Sequence, residues 1–262
     1  MKVIFLDVGQ GDSIFIETPE HFQVLIDGGP DNTVLSRLGA IMPVWDFTID
    51  LVILTHPQAD HMNGLKEILN RFNVGAIWVN TVSPQHLPLY HGFLQNAVLE
   101  KISVETVAAE KRLILNSGVT FSVLWPEVDS VVSFQKNLNN TSLVVKLEYG
   151  SISFLFTGDI EEPVEHMLAD GNKKLRSQVL KVPHHGSKTS SSTKFLESIH
   201  PAYAIISSGK ENNFGHPSPN VIRRFQRYGT HVLRTDELGD ITILSDGDRI
   251  TVFTSEMDRQ IW

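Results

Sequence analysis

Short apolar segments that end in polar, glycine-rich turns recur along this chain of 262 residues. The segment KVIFLDVGQGDSIFIET reads as two strands joined at residues 9–12, and FQVLIDGG reads as a third strand that ends at Asp27. The apolar segment DLVILT runs directly into His56, which predicts a strand buried on both faces. This repeated pattern predicts a chain of the α/β (α+β) class whose polar turns gather at one edge of its sheets.

Helices are predicted between these strands. The segment MNGLKEILNRF places Leu65, Ile68, Leu69 and Phe72 on one helical stripe. Further helices are predicted at residues 32–41, 86–99, 161–169, 192–199 and 218–228, and hairpins at residues 116–118 and 149–150. The economical assembly is two mixed sheets packed face to face, with the helices outside.

The composition is ordinary for a globular protein, with 41% hydrophobic and 20% charged residues. The longest apolar segments are far too short to span a bilayer. The N-terminus reads as the first strand of the fold because it lacks the long apolar stretch of a signal peptide. We therefore expect a cytoplasmic protein with no membrane partner, folded as a single domain over residues 1–262. The sequence makes no prediction about its oligomeric state.

The chain has no cysteine, so any metal ion must be held by histidine, carboxylate or neutral oxygen ligands. Its net charge of −8 argues against a broad basic surface for duplex nucleic acid, but it leaves room for a local basic groove. Six residues could line such a groove: Lys181, Lys188, Lys210, Arg223, Arg224 and Arg227. The alternative for the three arginines is a solvated helix face.

Four turns that follow strands each carry acids or histidines. They are THPQADH at 55–61, FTGD at 156–159, VPHHGSKTSSS at 182–192 and FGHPS at 214–218. Imidazole and carboxylate groups held at strand ends are what a hydrolytic site for zinc, manganese or iron needs. Asp60 and His61 are adjacent, so they can face one ion only on a tight turn that opens a helix. Gly64, which has no side chain, leaves little bulk at the start of that helix.

These motifs together resemble the metallo-β-lactamase superfamily, and most closely the hydrolase domain of the ComEC DNA-uptake proteins. The matching stretches run nearly from end to end: FLDVGQGDS, LIDGG, LTHPQADHMNGL, NNTSLVVKL, LFTGDIE, LKVPHHGSKTSSS, GHPSP and RTDELGDI. The resemblance implies a four-layer αββα sandwich with one or two divalent metal ions at the sheet edge. It also implies hydrolysis by a metal-bound hydroxide, often on phosphodiesters. ComEC proteins carry this domain beside a membrane channel, whereas we expect a free-standing hydrolase here.

The resemblance assigns roles to individual residues. His56, Asp60 and His61 match the first ligand motif of the family, and Asp159 matches its bridging carboxylate. Either His184 or His185 matches the late histidine ligand, and the sequence does not choose between them. Asp27 matches the buried acid that supports the ligands, although an Asp-Gly turn alone would also explain it.

Two departures from the family pattern affect one metal position. Gln58 stands where the family has a histidine, and Asn139 and Asn140 lie near where another is usual. The resemblance thus implies one strong position, at Asp60, His61, Asp159 and the late histidine, suited to zinc or manganese. A weak position would keep His56 and Asp159 with amide oxygens of Gln58 and Asn140, which favours manganese or magnesium.

Catalytic roles follow from this arrangement. Asp60 or Asp159 would orient the hydroxide, while His216 would protonate the leaving oxygen or bind the substrate anion. Alternatively His216 is a turn histidine packed beside Pro217. Ser187 and Lys188, with Thr189, would donate to a phosphate or would instead cap the helix that starts near Ser192.

Three functions remain open from the sequence. The first is a metal-dependent phosphodiesterase or nuclease whose partner is a phosphodiester, with nucleic acid among the candidates. The second is a hydrolase of carboxyl substrates such as a lactone, thioester or β-lactam. The third is an inactive binding module that keeps the fold and one structural metal, and Gln58 is its best support.

Overall fold

The computed structural model describes residues 1–81, 87–128, 134, 136–171 and 174–255. Two sheets form within these residues. The strands of the first sheet are Lys2–Phe5 (β1), Ile14–Glu17 (β2), Gln23–Ile26 (β3), Thr48–Leu54 (β4), Asn73–Asn80 (β5), Ser103–Val107 (β6), Ile241–Ser245 (β14) and Ile250–Thr254 (β15). Those of the second are Arg112–Ile114 (β7), Thr120–Trp125 (β8), Val144–Tyr149 (β9), Ile152–Phe156 (β10), Val179–Lys181 (β11), Tyr203–Ile206 (β12) and His231–Arg234 (β13). The first sheet has the strand order β15-β14-β1-β2-β3-β4-β5-β6, and the second has the order β13-β12-β11-β10-β9-β8-β7.

Helices cover the outer faces of both sheets. Their bounds are Thr33–Ile41 (α1), Ala59–Met62 (α2), Leu65–Arg71 (α3), Pro88–Leu99 (α4), Glu162–Asp170 (α5), Thr193–Ile199 (α6), Pro219–Arg227 (α7) and Thr235–Leu238 (α8). Residue 86, where the sequence placed the start of α4, lies outside the described residues. The predicted helical stripe from Leu65 holds to Leu69, but Phe72 is already extended, and a break near Gly64 separates α2 from α3. Neither β6 nor α8 was predicted.

Three apolar cores lie between the four layers of the fold. One core lies between the sheets, where the rings of Phe5 and Phe156 stand 6.2 Å apart. A second core joins α1, α3 and α4 to the first sheet, and a third joins α5, α6 and α7 to the second. Each large apolar side chain buried in this way contributes about 1.5–3 kcal/mol. The predicted αββα sandwich of two mixed sheets with outer helices is therefore confirmed.

Parallel pairing gathers the functional turns at one sheet edge. Strand β4 runs parallel to β3, and β11 runs parallel to both β10 and β12. The carboxyl ends of neighbouring parallel strands lie at the same edge, so the turns after β4, β10 and β11 can approach each other. Leu143 N donates to Thr55 O across the two sheets at 2.9 Å, which holds these edges together.

None of the helices among the described residues combines the length and the apolar character that crossing a bilayer requires.

Candidate metal centre

The turn after β4 places Asp60 and His61 on the short helix α2. Glycine makes the close packing of this turn possible, because a Cβ on Gly64 would overlap the carbonyl of Gly28. The backbone N of Gly28 also donates to His61 O at 2.7 Å. The turn that carries the two ligand candidates is therefore packed directly on the turn that follows Asp27.

The other two ligand candidates come from turns of the second sheet. Asp159 follows Gly158, whose φ of +49° is a conformation that favours glycine. The backbone N of Asp159 donates to Ser142 Oγ at 3.0 Å. His184 and His185 both have φ of 52°, which is uncommon for residues with a side chain. Strain of this kind persists only where the surroundings enforce it, and it concentrates at functional sites.

Four side chains converge at the sheet edge. Ligand atoms of Asp60, His61, Asp159 and His185 all lie within 4.8 Å of one another. Asp159 Oδ2 stands 3.3 Å from His61 Nε2 and 3.4 Å from His185 Nε2. Asp60 Oδ2 stands 3.9 Å from His61 Nε2 and 3.4 Å from His185 Nε2. Tetrahedral ligands about 2.0–2.1 Å from one ion are separated by about 3.3–3.4 Å, so this spacing suits a single ion.

Hydrogen bonds on the far side of each ring fix the tautomer of the histidines. His185 Nδ1 lies 2.9 Å from Ser207 O, and a carbonyl only accepts, so Nδ1 carries the proton. His61 Nδ1 donates to Asp27 Oδ2 at 2.8 Å. The Thr55 hydroxyl also donates to Asp27 Oδ2, at 2.7 Å, so the proton between Thr55 Oγ1 and His56 Nδ1 comes from His56.

In the neutral form of each ring, Nε2 therefore carries the lone pair. All three Nε2 atoms are buried and find no hydrogen-bond partner among the described residues. Unpaired buried polar atoms are rare in native proteins, and each one calls for an explanation such as a bound ion. The residues present therefore fit a divalent cation.

The charges of the cluster favour the same conclusion. Burial alone would lower the pKa of His61, but the carboxylates of Asp159 and Asp27 outweigh it and raise that pKa well above its usual value. Asp159 and Asp12 raise the pKa of His185 in the same way, again against burial. Burial would raise the pKa of Asp159, yet the two histidines hold it well below its usual value. The cluster strongly attracts positive charge, and a metal ion competes with protons for its nitrogens.

The neighbouring group, here called the amide side, consists of Gln58, Asn139 and His184. Gln58 Nε2 donates to Asn139 Oδ1, and Asn139 Nδ2 lies 3.4 Å from His184 Nε2. Asn140 is not part of this group, because its Oδ1 accepts from the backbone of Glu161 at 2.8 Å. The structure thus brings Asn139 to Gln58, where the sequence had offered Asn140 as the weak ligand.

The two adjacent histidines of the HHGS segment have different partners. His185 belongs to the cluster, whereas His184 Nδ1 faces Glu161 Oε1 at 3.4 Å. His56 lies outside the four-atom group, although its ring is only 4.2 Å from that of His61. Burial and the neighbouring His61 lower the pKa of His56 to about 3. His56 is therefore neutral at pH 7, with its Nε2 lone pair available.

His216 lies at the rim of the site. Its ring is 5.4 Å from that of His184, and the exposed ring of Phe214 stacks on it at 5.8 Å. Partial burial, together with His185 and His184, lowers the pKa of His216 to about 4. The ring is therefore neutral at pH 7, so His216 can form hydrogen bonds there but does not carry the positive charge of an anion-binding imidazolium.

The serine-rich loop after the cluster is held by interactions that the sequence did not reveal. Ser187 Oγ pairs with Thr189 Oγ1 at 3.0 Å, and Lys188 is exposed. The cap of helix α6 is the side chain of Ser192 itself, so the alternative in which Ser187 and Lys188 cap that helix is wrong. Glu165, buried in α5, accepts hydrogen bonds from the backbone of residues 191 and 192. A carboxylate on a helix gave no sequence signal for this role.

The prediction that Lys181 lines a basic groove is wrong. Its side chain is 1% exposed and forms an ion pair with Asp12, so it cannot line a surface groove. Burial would lower the pKa of Lys181, but Asp12 and Asp159 outweigh it and raise that pKa. Arg224 is also engaged, because its guanidinium donates to the carbonyl of Ser191. Asp12 was not predicted as a functional residue, although it lies in the specific DVGQGDS motif.

Comparison with known proteins gives the family. The family model of the metallo-β-lactamase superfamily matches residues 6–210. ComE operon protein 3 of Bacillus subtilis is 34% identical over 260 residues, which cover 92% of this chain and 32% of that protein. Competence protein ComA of Neisseria gonorrhoeae is 33% identical over 242 residues, which cover 89% of this chain and 30% of that protein. The chain thus spans about a third of the length of these relatives.

Solved structures of low sequence identity share the fold. Zn²⁺-bound PqqB from Methylobacterium extorquens superposes with a TM-score of 0.57 at 12% identity, covering 94% of this chain and 100% of that one. Tm1679, a metal-dependent hydrolase of the β-lactamase superfamily, superposes with a TM-score of 0.55 at 14% identity, covering 89% and 96%. With the family match and relatives above 30% identity, the chain belongs to the metallo-β-lactamase superfamily of metal-dependent hydrolases.

Proposed function

We propose that this chain is a phosphodiesterase or nuclease that uses one divalent ion held by Asp60, His61, Asp159 and His185. The observation that carries the proposal is the convergence of four ligand atoms. The two nitrogens among them are buried and have no hydrogen-bond partner among the described residues. Two imidazoles and two carboxylates suit zinc or manganese. The amide side makes a second ion the weaker expectation, because its amide groups are already engaged with each other.

The residues around the ion have separate tasks. A bound divalent ion would polarise a phosphoryl oxygen and lower the pKa of a coordinated water toward about 7. Asp27 and the carbonyl of Ser207 hold His61 and His185 with Nε2 toward the cluster. Asp60 has the most exposed side chain of the four, at 31%, so its carboxylate is placed to orient an attacking water or to accept its proton.

Residues at the rim would bind the substrate. His216 would donate a hydrogen bond to a phosphate oxygen through its neutral ring, in place of the acid role inferred from the sequence. Ser187 and Lys188 follow His185 on the same loop and would supply a hydroxyl and an ammonium. The exposed ring of Phe214 beside His216 is available for stacking on a base.

Positive charge on α7 supports a phosphodiester substrate. Arg223, Arg224 and Arg227 line a cleft of about 340 Å³ on α7 together with Asn220. Arg224 also ties this helix to the loop that follows His185, because its guanidinium donates to the carbonyl of Ser191. Two relatives are named for the ComE operon and for competence, and a third, from Haemophilus influenzae, is named Recombination protein 2. These names make DNA the first polymer to test.

Hydrolysis of bis-p-nitrophenyl phosphate and of linear DNA tests the proposal, with zinc, manganese and magnesium compared. We expect cleavage that depends on the metal and is lost in Asp60→Asn and Asp159→Asn. Turnover of an ester or lactone panel without phosphodiester cleavage would favour the carboxyl hydrolase. Metal binding with no turnover of any substrate would favour the inactive binding module.

A further inference from the structure

Lys181 is a buried cation directly behind the metal cluster. It is the last residue of β11, in the interior of the second sheet, and its side chain is 1% exposed. Burying an ammonium group is costly unless its charge and its three N–H donors find partners. Lys181 Nζ contacts the carboxylate of Asp12, donates to Gly158 O at 3.2 Å and stands 3.7 Å from Asp159 Oδ1.

Asp12 joins this cation to the rings of the cluster. Its Oδ2 pairs with Lys181, and its Oδ1 lies 3.4 Å from His185 Nδ1. The carboxylate is also 3.8 Å from His61 Nδ1. Because Gly11 lies so close to the Asp60 carbonyl that a Cβ would overlap it, the turn that carries Asp12 is packed directly against the ligand turn.

The two oxygens of Asp159 face different groups. Oδ1 faces the ammonium of Lys181, whereas Oδ2 faces the Nε2 atoms of His61 and His185. The carboxylate therefore cannot rotate without moving an oxygen away from a buried positive charge. This arrangement leaves one oxygen for the ion of the cluster and holds the other on a fixed protein cation.

We propose that Lys181 and Asp12 are positioning residues that set the affinity of the cluster for its single ion, Lys181 by orienting Asp159 and Asp12 by supporting His185. This inference rests on the proposed metal site and deepens it. Neither residue needs to touch the ion or the substrate. Partners of this kind behind a metal ligand typically change metal affinity by about 10–100-fold when they are removed.

Metal binding by the full chain tests this inference, with Zn²⁺ and Mn²⁺ titrated separately by calorimetry. Lys181→Met alone leaves two buried carboxylates without their cation and is expected to destabilise the fold. The double variant Asp12→Asn with Lys181→Met removes both charges of the pair and should unfold at a higher temperature than Lys181→Met. We expect Kd for either ion to rise at least about tenfold in the double variant. Asp12→Asn alone retains the lysine and should also weaken binding.

Lys146→Met is the matched control. Lys146 is another largely buried lysine of the second sheet, but it pairs with Glu148 and with the carbonyl of Lys174. Its replacement should lower the unfolding temperature and leave Kd unchanged, which separates a loss of stability from a loss of positioning. A folded double variant that binds both ions as tightly as the wild type would overturn this inference alone. A wild-type chain that binds neither ion would overturn the proposed function as well.

Discussion

The cluster and the amide side lie next to each other at one sheet edge, but their polar atoms are satisfied in different ways. In the cluster, the Nε2 atoms of His61 and His185 are buried and have no hydrogen-bond partner among the described residues. On the amide side, Gln58 donates to Asn139, and Asn139 faces His184. One group is arranged to receive a cation, and the other largely completes its own hydrogen bonds.

The difference follows from the chemistry of the amide side chains. A glutamine or asparagine brings both a donor and an acceptor, so two of them can satisfy each other without an ion. A histidine whose Nδ1 proton is bonded to an acceptor keeps an unpaired Nε2 atom. We therefore propose that the ion binds on the side that has histidines and carboxylates.

The largest effect is expected for Asp159→Asn. The substitution removes one ligand charge from the cluster and leaves the ammonium of Lys181 facing a neutral group. We expect metal affinity and metal-dependent phosphodiester cleavage to fall by more than about 100-fold, beyond the loss typical of a supporting residue. Calorimetry and the bis-p-nitrophenyl phosphate assay measure the two effects. Near-normal binding in this variant would remove Asp159 from the ligand set.

Removal of the ion should destabilise the protein in a pH-dependent way. At an ion concentration about 100-fold above Kd, binding contributes about 2.7 kcal/mol, or about 5–10 °C in the unfolding temperature of a chain this size. In the ion-free protein the pKa of His61 and of His185 is raised. Their protonated forms stabilise the ion-free fold fully below about pH 6.5, and this contribution is lost as pH rises through the raised pKa values.

Raising the pH also removes the protons that compete with the ion for Nε2. Both effects predict that the shift in unfolding temperature between metal-loaded and chelated protein is larger at pH 8 than at pH 6. Thermal unfolding at the two pH values, with and without a chelator, measures this shift. A shift that is larger at the lower pH would contradict the assignment of neutral histidine ligands.

Restoring imidazoles should weaken the contrast between the two sides. The double variant Gln58→His with Asn139→His replaces both amides by rings whose nitrogens can bind a metal ion, and His56, two residues before Gln58, has a buried Nε2 with no hydrogen-bond partner among the described residues. We expect a second ion to bind, raising the metal content from one toward two per chain, as measured by mass spectrometry of the dialysed protein. Asp159→Asn in the same background should lower both occupancies, since Asp159 would then bridge the two positions.

The smallest effect is expected for Gln58→Ala. It removes one hydrogen bond on the amide side, which is worth about 1 kcal/mol of stability, and it removes no atom of the cluster. Metal affinity should stay within about threefold of the wild type, because ΔΔG values at independent sites rarely couple. A loss comparable to that of Asp159→Asn would show that the ion occupies the amide side.

The sequence identified most of the cluster because its residues lie in short motifs with fixed local geometry. Asp60 and His61 follow an apolar strand on a tight turn, and Asp159 follows a buried hairpin. The choice between His184 and His185 could not be made from the sequence. Side chains alternate between the two faces of an extended strand, which would place only one of the two histidines toward the site without saying which. Both residues instead adopt left-handed conformations, and only the fold reveals that His185 turns toward the cluster.

Other features depend on contacts between distant parts of the chain. Lys181 ends a strand and could have faced solvent, and its burial depends on Asp12, which lies 169 positions earlier in the sequence. Asn139 and Asn140 are adjacent in a single 3₁₀ turn, so local sequence could not tell which of them would meet Gln58. The layers of the sandwich were predictable, because apolar periodicity determines which faces are buried.

The most direct test of the account is a crystal structure of the zinc-loaded protein with anomalous diffraction recorded at the zinc edge. The account predicts one strong peak about 2.0–2.2 Å from Nε2 of His61 and His185 and from carboxylate oxygens of Asp60 and Asp159. A single peak at Gln58 and Asn139, or two peaks of equal height, would contradict it.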